Sequence, residues 1–118
     1  MKKIYYLSTC DTCARIMKQL KISKKNFTMQ DIKTEKITPD QLDGMKQLSG
    51  SYESLFSRVA LKFLAWGLNK KELNERDYRK YILEEYTFLK RPVITIGKKI
   101  FIGNSPSNID AVQEELNK

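Results

Sequence analysis

The apolar run Ile4-Tyr5-Tyr6-Leu7 leads through Ser8-Thr9 into Cys10-Asp11-Thr12-Cys13, and a helical pattern follows from Ala14 to Leu20. Residues Asn26 to Ile32 then alternate with period two, which predicts a second strand. Strand, helix and strand in this order form a βαβ unit with a right-handed crossover. The chain is therefore expected to open as an α/β protein. Its two cysteines stand where the first strand hands over to the first helix. At that place the free N–H groups and the positive end of the helix dipole favour a thiolate over a thiol.

The remaining elements follow from local signals. Lys3–Leu7 reads as the first strand, and Asp11 or Thr12 as the cap of the first helix, whose inner stripe is Ile16, Met17 and Leu20. Thr38-Pro39-Asp40-Gln41 predicts a helix start, with Thr38 as cap, Pro39 in the first helical position and Gln41 closing a capping box. Its buried face is expected to be Leu42, Met45 and Leu48. Tyr52–Phe56 reads as a short helical turn, Arg58–Trp66 as a short helix stopped by Gly67, and Asn74 or Asp77 as the start of a helix ending at Glu85. Trp66 and Phe63 read as core. Near the end, Pro92–Ile96 and Lys99–Ile102 are β-rich runs joined by Gly97-Lys98, the length of a tight hairpin. Ser105-Pro106 opens a last helix with Ile109, Val112 and Leu116 inward.

Composition narrows the class. The 118 residues suffice for one domain and one core, and 41% hydrophobic with 31% charged residues fits a soluble globular protein. No apolar run is long enough to span a bilayer, and the start Met1-Lys2-Lys3-Ile4 is too short for a signal peptide, so a cytoplasmic protein without a membrane partner is expected. Two cysteines so close are poor staples for a secreted domain and suggest redox chemistry. With no His and no third Cys, a structural zinc site is not expected, short of one shared between two chains. The net charge of +8 suits a solvated surface, an oxyanion or an acidic macromolecular partner. Scattered lysines without interleaved aromatics argue against direct nucleic-acid binding.

The element order and four sequence pieces carry a resemblance. The pieces are Tyr6-Leu7-Ser8-Thr9-Cys10-Asp11-Thr12-Cys13, Arg58 within the helical middle, Lys90-Arg91-Pro92-Val93-Ile94, and Ile102-Gly103-Asn104-Ser105. Together they make the chain resemble the thioredoxin-like (glutaredoxin-like) fold and, more narrowly, the arsenate reductase (ArsC) family, which also contains Spx-type transcription regulators. The resemblance implies a mixed β-sheet in a single domain, 1–118, with an all-helical insertion at approximately 36–88 between the βαβ and ββα halves. It also implies that Pro92 is cis and faces the reactive cysteine. Cys10 matches the cysteine that attacks arsenic in the reductases that use glutathione and glutaredoxin. Arg58 and Arg91 match two of the three arginines around it. Where the third would fall, the chain reads Ile102-Gly103-Asn104, without an arginine. That departure, and Cys13, point toward the Spx-like branch, where a Cys-x-x-Cys forms a disulfide switch.

The expected site is Cys10 as nucleophile, Cys13 as resolving thiol, and Arg58, Arg91, Pro92 and Asn104 around the substrate. Each residue also has a plainer reading. Cys13 suits a core, Arg58 a surface, Arg91 a pair with Glu84 or Glu85, and Asn104 a cap for the last helix. An ordinary thiol is only a few per cent ionised at neutral pH, so the helix end and the arginines would have to lower the Cys10 pKa. Three functions stay open. One is a thiol oxidoreductase acting on an oxyanion or disulfide, with a small thiol, glutaredoxin or thioredoxin as electron donor and no cofactor or metal. The second is an Spx-like redox switch that binds the RNA polymerase alpha subunit. The third is a general disulfide reductase.

Overall fold

The computed structural model describes Met1–Lys118. It has two compact units, Met1–Glu35 with Arg91–Lys118, and Lys36–Lys90. The second unit interrupts the first in sequence, and its limits run two residues beyond the 36–88 expected for the insertion.

The first unit contains β1 (Lys2–Tyr6), α1 (Asp11–Gln19), β2 (Thr28–Asp31), β3 (Val93–Ile96), β4 (Lys99–Ile102) and α5 (Pro106–Leu116). Its sheet runs β2-β1-β3-β4, with β1 parallel to β2 and antiparallel to β3, and β4 antiparallel to β3. This is the mixed sheet expected of a thioredoxin-like chain. The register lines Met29, Ile4, Ile94 and Phe101 across the sheet. Onto this row pack Ile16 and Leu20 of α1 and Ile109 and Val112 of α5, forming one core. Each fully buried aliphatic side chain there contributes about 1.5–3 kcal/mol relative to exposure. Gly97 closes the β3–β4 hairpin at φ 60°, where a residue with a Cβ is disfavoured.

Two expectations for this unit need correction. The second strand is only four residues long, because Asn26 takes part in a turn. Its side chain accepts from the Ser23 N–H (2.8 Å) and donates to the Lys21 carbonyl (3.0 Å), offering the backbone an alternative to the ladder. The first helix is entered at Cys10, not at Asp11 or Thr12. Cys10 is extended, at φ −99° and ψ 112°, and its carbonyl accepts from the Ala14 N–H at 3.1 Å.

The second unit contains α2 (Pro39–Ser49), α3 (Leu61–Ala65) and α4 (Glu75–Glu84), with 3-10 turns at Glu53–Leu55, Leu68–Lys70 and Tyr86–Phe88. Capping boxes open α2 at Thr38 and Gln41 and α4 at Asn74 and Asp77. The helix expected from Arg58 starts only at Leu61, after an extended Ala60 in the cap position that makes no side-chain cap; Ser57, the residue that could have capped an earlier start, donates its N–H to the Phe88 carbonyl. Leu42 and Met45 are buried, but Leu48 is exposed. Three-residue steps fall roughly 60° short of a full helical turn, so the second step carries Leu48 off the inner face. The core of this unit is aromatic. Phe56 stacks on Phe88 (5.1 Å between centroids) and tilts against Tyr78 (4.9 Å). Trp66 meets Phe88 edge-on at 5.3 Å but stays 40% exposed, so it caps this cluster rather than filling it. A bridge between Phe56 and Leu89 ties the last residues of the unit to the segment after α2, with Ser57 N–H donating to the Phe88 carbonyl at 2.7 Å and Lys90 N–H to the Leu55 carbonyl at 2.8 Å. No helix in either unit is long and apolar enough to cross a membrane.

Candidate functional site

Cys10 is placed by a short turn after β1. Its N–H donates to the Leu7 carbonyl at 3.0 Å. The turn is anchored from β2, where Asp31 Oδ1 accepts from the Ser8 N–H at 3.2 Å and from the Lys33 N–H at 3.1 Å. Partial burial opposes ionisation of Asp31, but hydrogen bonds from Ser8 and Lys33 outweigh it and hold the carboxyl below the usual carboxylate range. No sequence signal singled out Asp31, because its partner Ser8 is brought near only by the β1–β2 pairing.

Both cysteines are free thiols, Cys10 partly exposed and Cys13 fully buried. Cap residues usually present a side-chain oxygen to the second and third N–H groups of the helix. Cys10 presents sulfur instead, and as a thiol it makes no regular capping hydrogen bond. Burial pushes the Cys10 thiol up. The Cys13 N–H, the Cys13 thiol, the Arg91 guanidinium and the Thr12 N–H together outweigh that and hold it below its ordinary value of 9.0. Cys13 is shifted the other way, up to about 11. Burial is the main cause, and the hydrogen bond to Cys10 and the neighbouring Cys10 charge add to it. A hydrogen bond from Leu7 and the Arg91 charge oppose it in part.

Arg91 therefore acts on both sulfurs. The Arg91–Pro92 peptide bond is cis, as the resemblance implied. The Pro92 carbonyl accepts from the Gly103 N–H at 2.9 Å, and Gly103 adopts φ 92° to reach it. The structure thus brings Cys10, Cys13 and Arg91 together, with Pro92 adjoining. Asn104 is exposed and does not cap α5, since the Ser105 hydroxyl accepts from the Asn108 N–H at 3.2 Å. Asn104 instead borders a cavity shared with Arg15 and Asp110. Arg58 belongs to the helical unit. Its Nη2 lies 2.8 Å from Glu53 Oε2 and 2.7 Å from the Tyr78 hydroxyl, and its guanidinium covers the Tyr78 ring at 5.4 Å. Glu85 is held by Lys62 at 2.7 Å and by Thr87.

The ArsC family model matches residues 5–112, which takes in the thiol pair, Arg91-Pro92 and most of α5. The chain belongs to the ArsC family. Among the relatives of this ArsC-family chain is the global transcriptional regulator Spx 2 of Bacillus anthracis. It is 25% identical over 111 residues, which is 92% of this chain and 84% of that protein. Solved structures agree on the thioredoxin-like fold. An arsenate reductase from Vibrio cholerae superposes with a TM-score of 0.77 at 12% identity, over 94% of this chain and 96% of that one. An arsenate reductase-related protein from Brucella melitensis gives 0.68 at 23% identity, over 93% and 92%.

Proposed function

We propose that this ArsC-family protein is a thiol-dependent oxidoreductase with Cys10 as nucleophile and Cys13 as resolving thiol. The observation that carries the proposal is two free thiols in one turn of helix, Cys10 partly exposed at the cap and Cys13 fully buried behind it, an arrangement that shifts Cys10 downward and Cys13 upward. Such a pair leaves its attacking sulfur more readily ionised than an ordinary thiol and its second sulfur protonated in reserve at neutral pH. With a disulfide substrate, the Cys10 thiolate forms a mixed disulfide and expels one thiolate. Cys13, once deprotonated, attacks the Cys10 sulfur and expels the second. The dithiol loses two electrons, the substrate gains them, and a small thiol, glutaredoxin or thioredoxin restores the dithiol. With arsenate, the thiolate displaces water from the protonated oxyanion to give a thiol–arsenic(V) adduct. Attack of Cys13 on the Cys10 sulfur then leaves a disulfide and arsenite. Arg91 is the cation assigned to the thiolate and to the oxyanion, whose oxygens suit a guanidinium fork. Arg58 has no part in this proposal, because its guanidinium is held by Glu53 and Tyr78.

The test is turnover of arsenate and of a small disulfide by the purified protein with each donor system. Wild type should turn over one of them, Cys10→Ser neither, and Cys13→Ser should stop at the mixed disulfide or arsenic adduct, visible by mass. No turnover with any donor overturns the enzyme reading.

A second reading has its own support. The Spx 2 relative covers most of the chain, and Gly103-Asn104 stands where the reductases carry an arginine. On that reading a Cys10–Cys13 disulfide is a signal, and the proposed partner is the RNA polymerase alpha subunit. Co-purification with polymerase that depends on the oxidation state, without substrate turnover, would select it.

A further inference from the structure

The α/β unit has a second concave feature that the thiol chemistry does not use. A cavity of about 200 Å³ is lined by Arg15, Gln19, Asn104, Pro106, Ile109 and Asp110. Arg15 and Gln19 are one helical turn apart on α1 and share a face. Pro106, Ile109 and Asp110 come from the first turns of α5, and Asn104 lies just before its cap. Buried Ile109 and exposed Pro106 supply an apolar wall. The other four contribute a guanidinium, a carboxylate and two carboxamides.

None of these four polar side chains is held by another group of the protein. The ion pairs in this unit lie elsewhere, joining Glu115 to Lys99 and to Lys118. Arg15 and Asp110 face one space without pairing with each other. Opposite charges on the two walls of a small cavity suit a ligand that carries both. A lone phosphate would suit Arg15 but would place its negative charge against Asp110, and a diamine would meet the converse penalty at Arg15. The volume is roughly that of seven waters at ~30 Å³ each, and below the roughly 300–1,000 Å³ of sites for drug-sized molecules. A ligand of six or seven heavy atoms is therefore the right class.

We propose that this cavity binds a small α-amino acid as its zwitterion, with the carboxylate on Arg15, the ammonium on Asp110 and the side chain toward Ile109. The guanidinium fork matches a carboxylate in two-point contact. Gln19 and Asn104 offer both donors and acceptors to the remaining lone pair and proton sites.

The proposal is independent of the redox reading and is tested in the Cys10→Ser background, so that failure of one leaves the other standing. The measurement is an NMR titration of the labelled protein with L-serine, acetate and methylammonium. L-Serine should shift the amides around Arg15–Gln19 and Asn104–Asp110 saturably. Acetate should bind about tenfold or more weakly, since it lacks the charged contact to Asp110. Arg15→Met should abolish both. Asp110→Asn should weaken L-serine by about tenfold and leave acetate bound at least as tightly, since the opposing carboxylate is gone. Both substitutions are at exposed positions, and an unchanged melting temperature confirms that the variants fold. Absence of saturable shifts overturns the site. Equal affinity for acetate and L-serine, or an Asp110→Asn variant that binds L-serine normally, overturns the zwitterion assignment.

Discussion

The helical unit holds Arg58 and Arg79 in ion pairs reinforced by tyrosine hydroxyls, whereas in the α/β unit Arg15 faces a cavity and Arg91 stands beside two thiols. Arg79 grips Asp43 through Nε at 2.8 Å and Nη2 at 3.2 Å, and Tyr52 donates to the same carboxylate at 2.5 Å. Lys62 pairs with Glu85 in the same way. Polar groups that satisfy one another in this manner define a surface geometry and have little left for a ligand. In the α/β unit the polar side chains that line the cavity beside Arg15 have no such partners, which is the condition for binding. The units also differ in helix entry. The helical unit opens α2 and α4 with complete capping boxes, while the α/β unit gives the cap position of α1 to a cysteine.

The contrast is most easily broken in the cores. Phe56 is fully buried among Phe63, Tyr78 and Phe88. Phe56→Ala should cost about 3–5 kcal/mol in denaturant unfolding. Leu64→Ala, on an exposed position of the same unit, should stay within about 0.5 kcal/mol. A mild Phe56→Ala would mean that the aromatic cluster is not what holds the helical unit together.

The next effect is kinetic. Cys10 lies below 9.0 and Cys13 is pushed up to about 11, so alkylation of the reduced protein should be slower, by about tenfold or more, in Cys10→Ser than in Cys13→Ser. The main cause of the Cys13 shift is burial, which Cys10→Ser does not remove. Arg91→Met should slow alkylation of Cys10 at neutral pH, and Arg58→Met should leave it unchanged. Equal rates in the two cysteine variants would remove the asymmetry on which the proposed chemistry rests.

Much of this was legible in the chain. The strand–helix–strand opening, the Thr38–Gln41 capping box, the Gly97-Lys98 hairpin and the Ser105-Pro106 helix start are local signals, and each was readable within a few residues; at α4 the sequence left Asn74 and Asp77 as alternative starts, and the structure uses both in one capping box. Signals that need tertiary context were not. Asn26 shortens β2 through a turn that competes with a good alternating pattern. Leu48 and Trp66 looked buried by type, but helix rotation and the limited size of the aromatic cluster leave them partly or largely exposed. At the site, Cys10, Cys13, Arg91 and Pro92 were recognisable from sequence. The contribution of Asp31, and the meeting of Arg15 with Asp110, depend on strand pairing and on α1 and α5 sharing one core, which no spacing along the chain encodes.

The caps give smaller effects of opposite sign. Thr38→Ala or Asn74→Ala removes an acceptor from a complete capping box and should cost about 1 kcal/mol. Cys10→Ser introduces a preferred cap and should raise the melting temperature, a gain of at most about 1 kcal/mol. A stability increase coupled to lost reactivity is what a cap position assigned to chemistry should show. If Cys10→Ser is destabilising, the sulfur has a packing role that its partial exposure does not suggest.

The last effects appear only away from neutral pH, and they place the two units on opposite limbs. Cys13 titrates near 11 in the fold against an ordinary 9.0, so its stabilising contribution is complete below about pH 9 and is lost as pH rises toward 11. Cys13→Ala should flatten that alkaline limb of the melting-temperature profile. Asp43 is held down to about 2, first by the hydrogen bonds from Arg79 and then by the Tyr52 hydroxyl, against an ordinary 3.8. Its contribution is present above about pH 3.8 and is lost as pH falls toward 2. The carboxylate is about half-exposed, so solvent and salt screen much of it. Asp43→Asn should therefore reduce the acid-side slope only slightly, and less at high salt, while leaving the alkaline limb as it is. An Asp43→Asn profile that also changes above pH 9 would show that the two limbs do not report separately on the helical unit's ion pairs and the α/β unit's buried thiol.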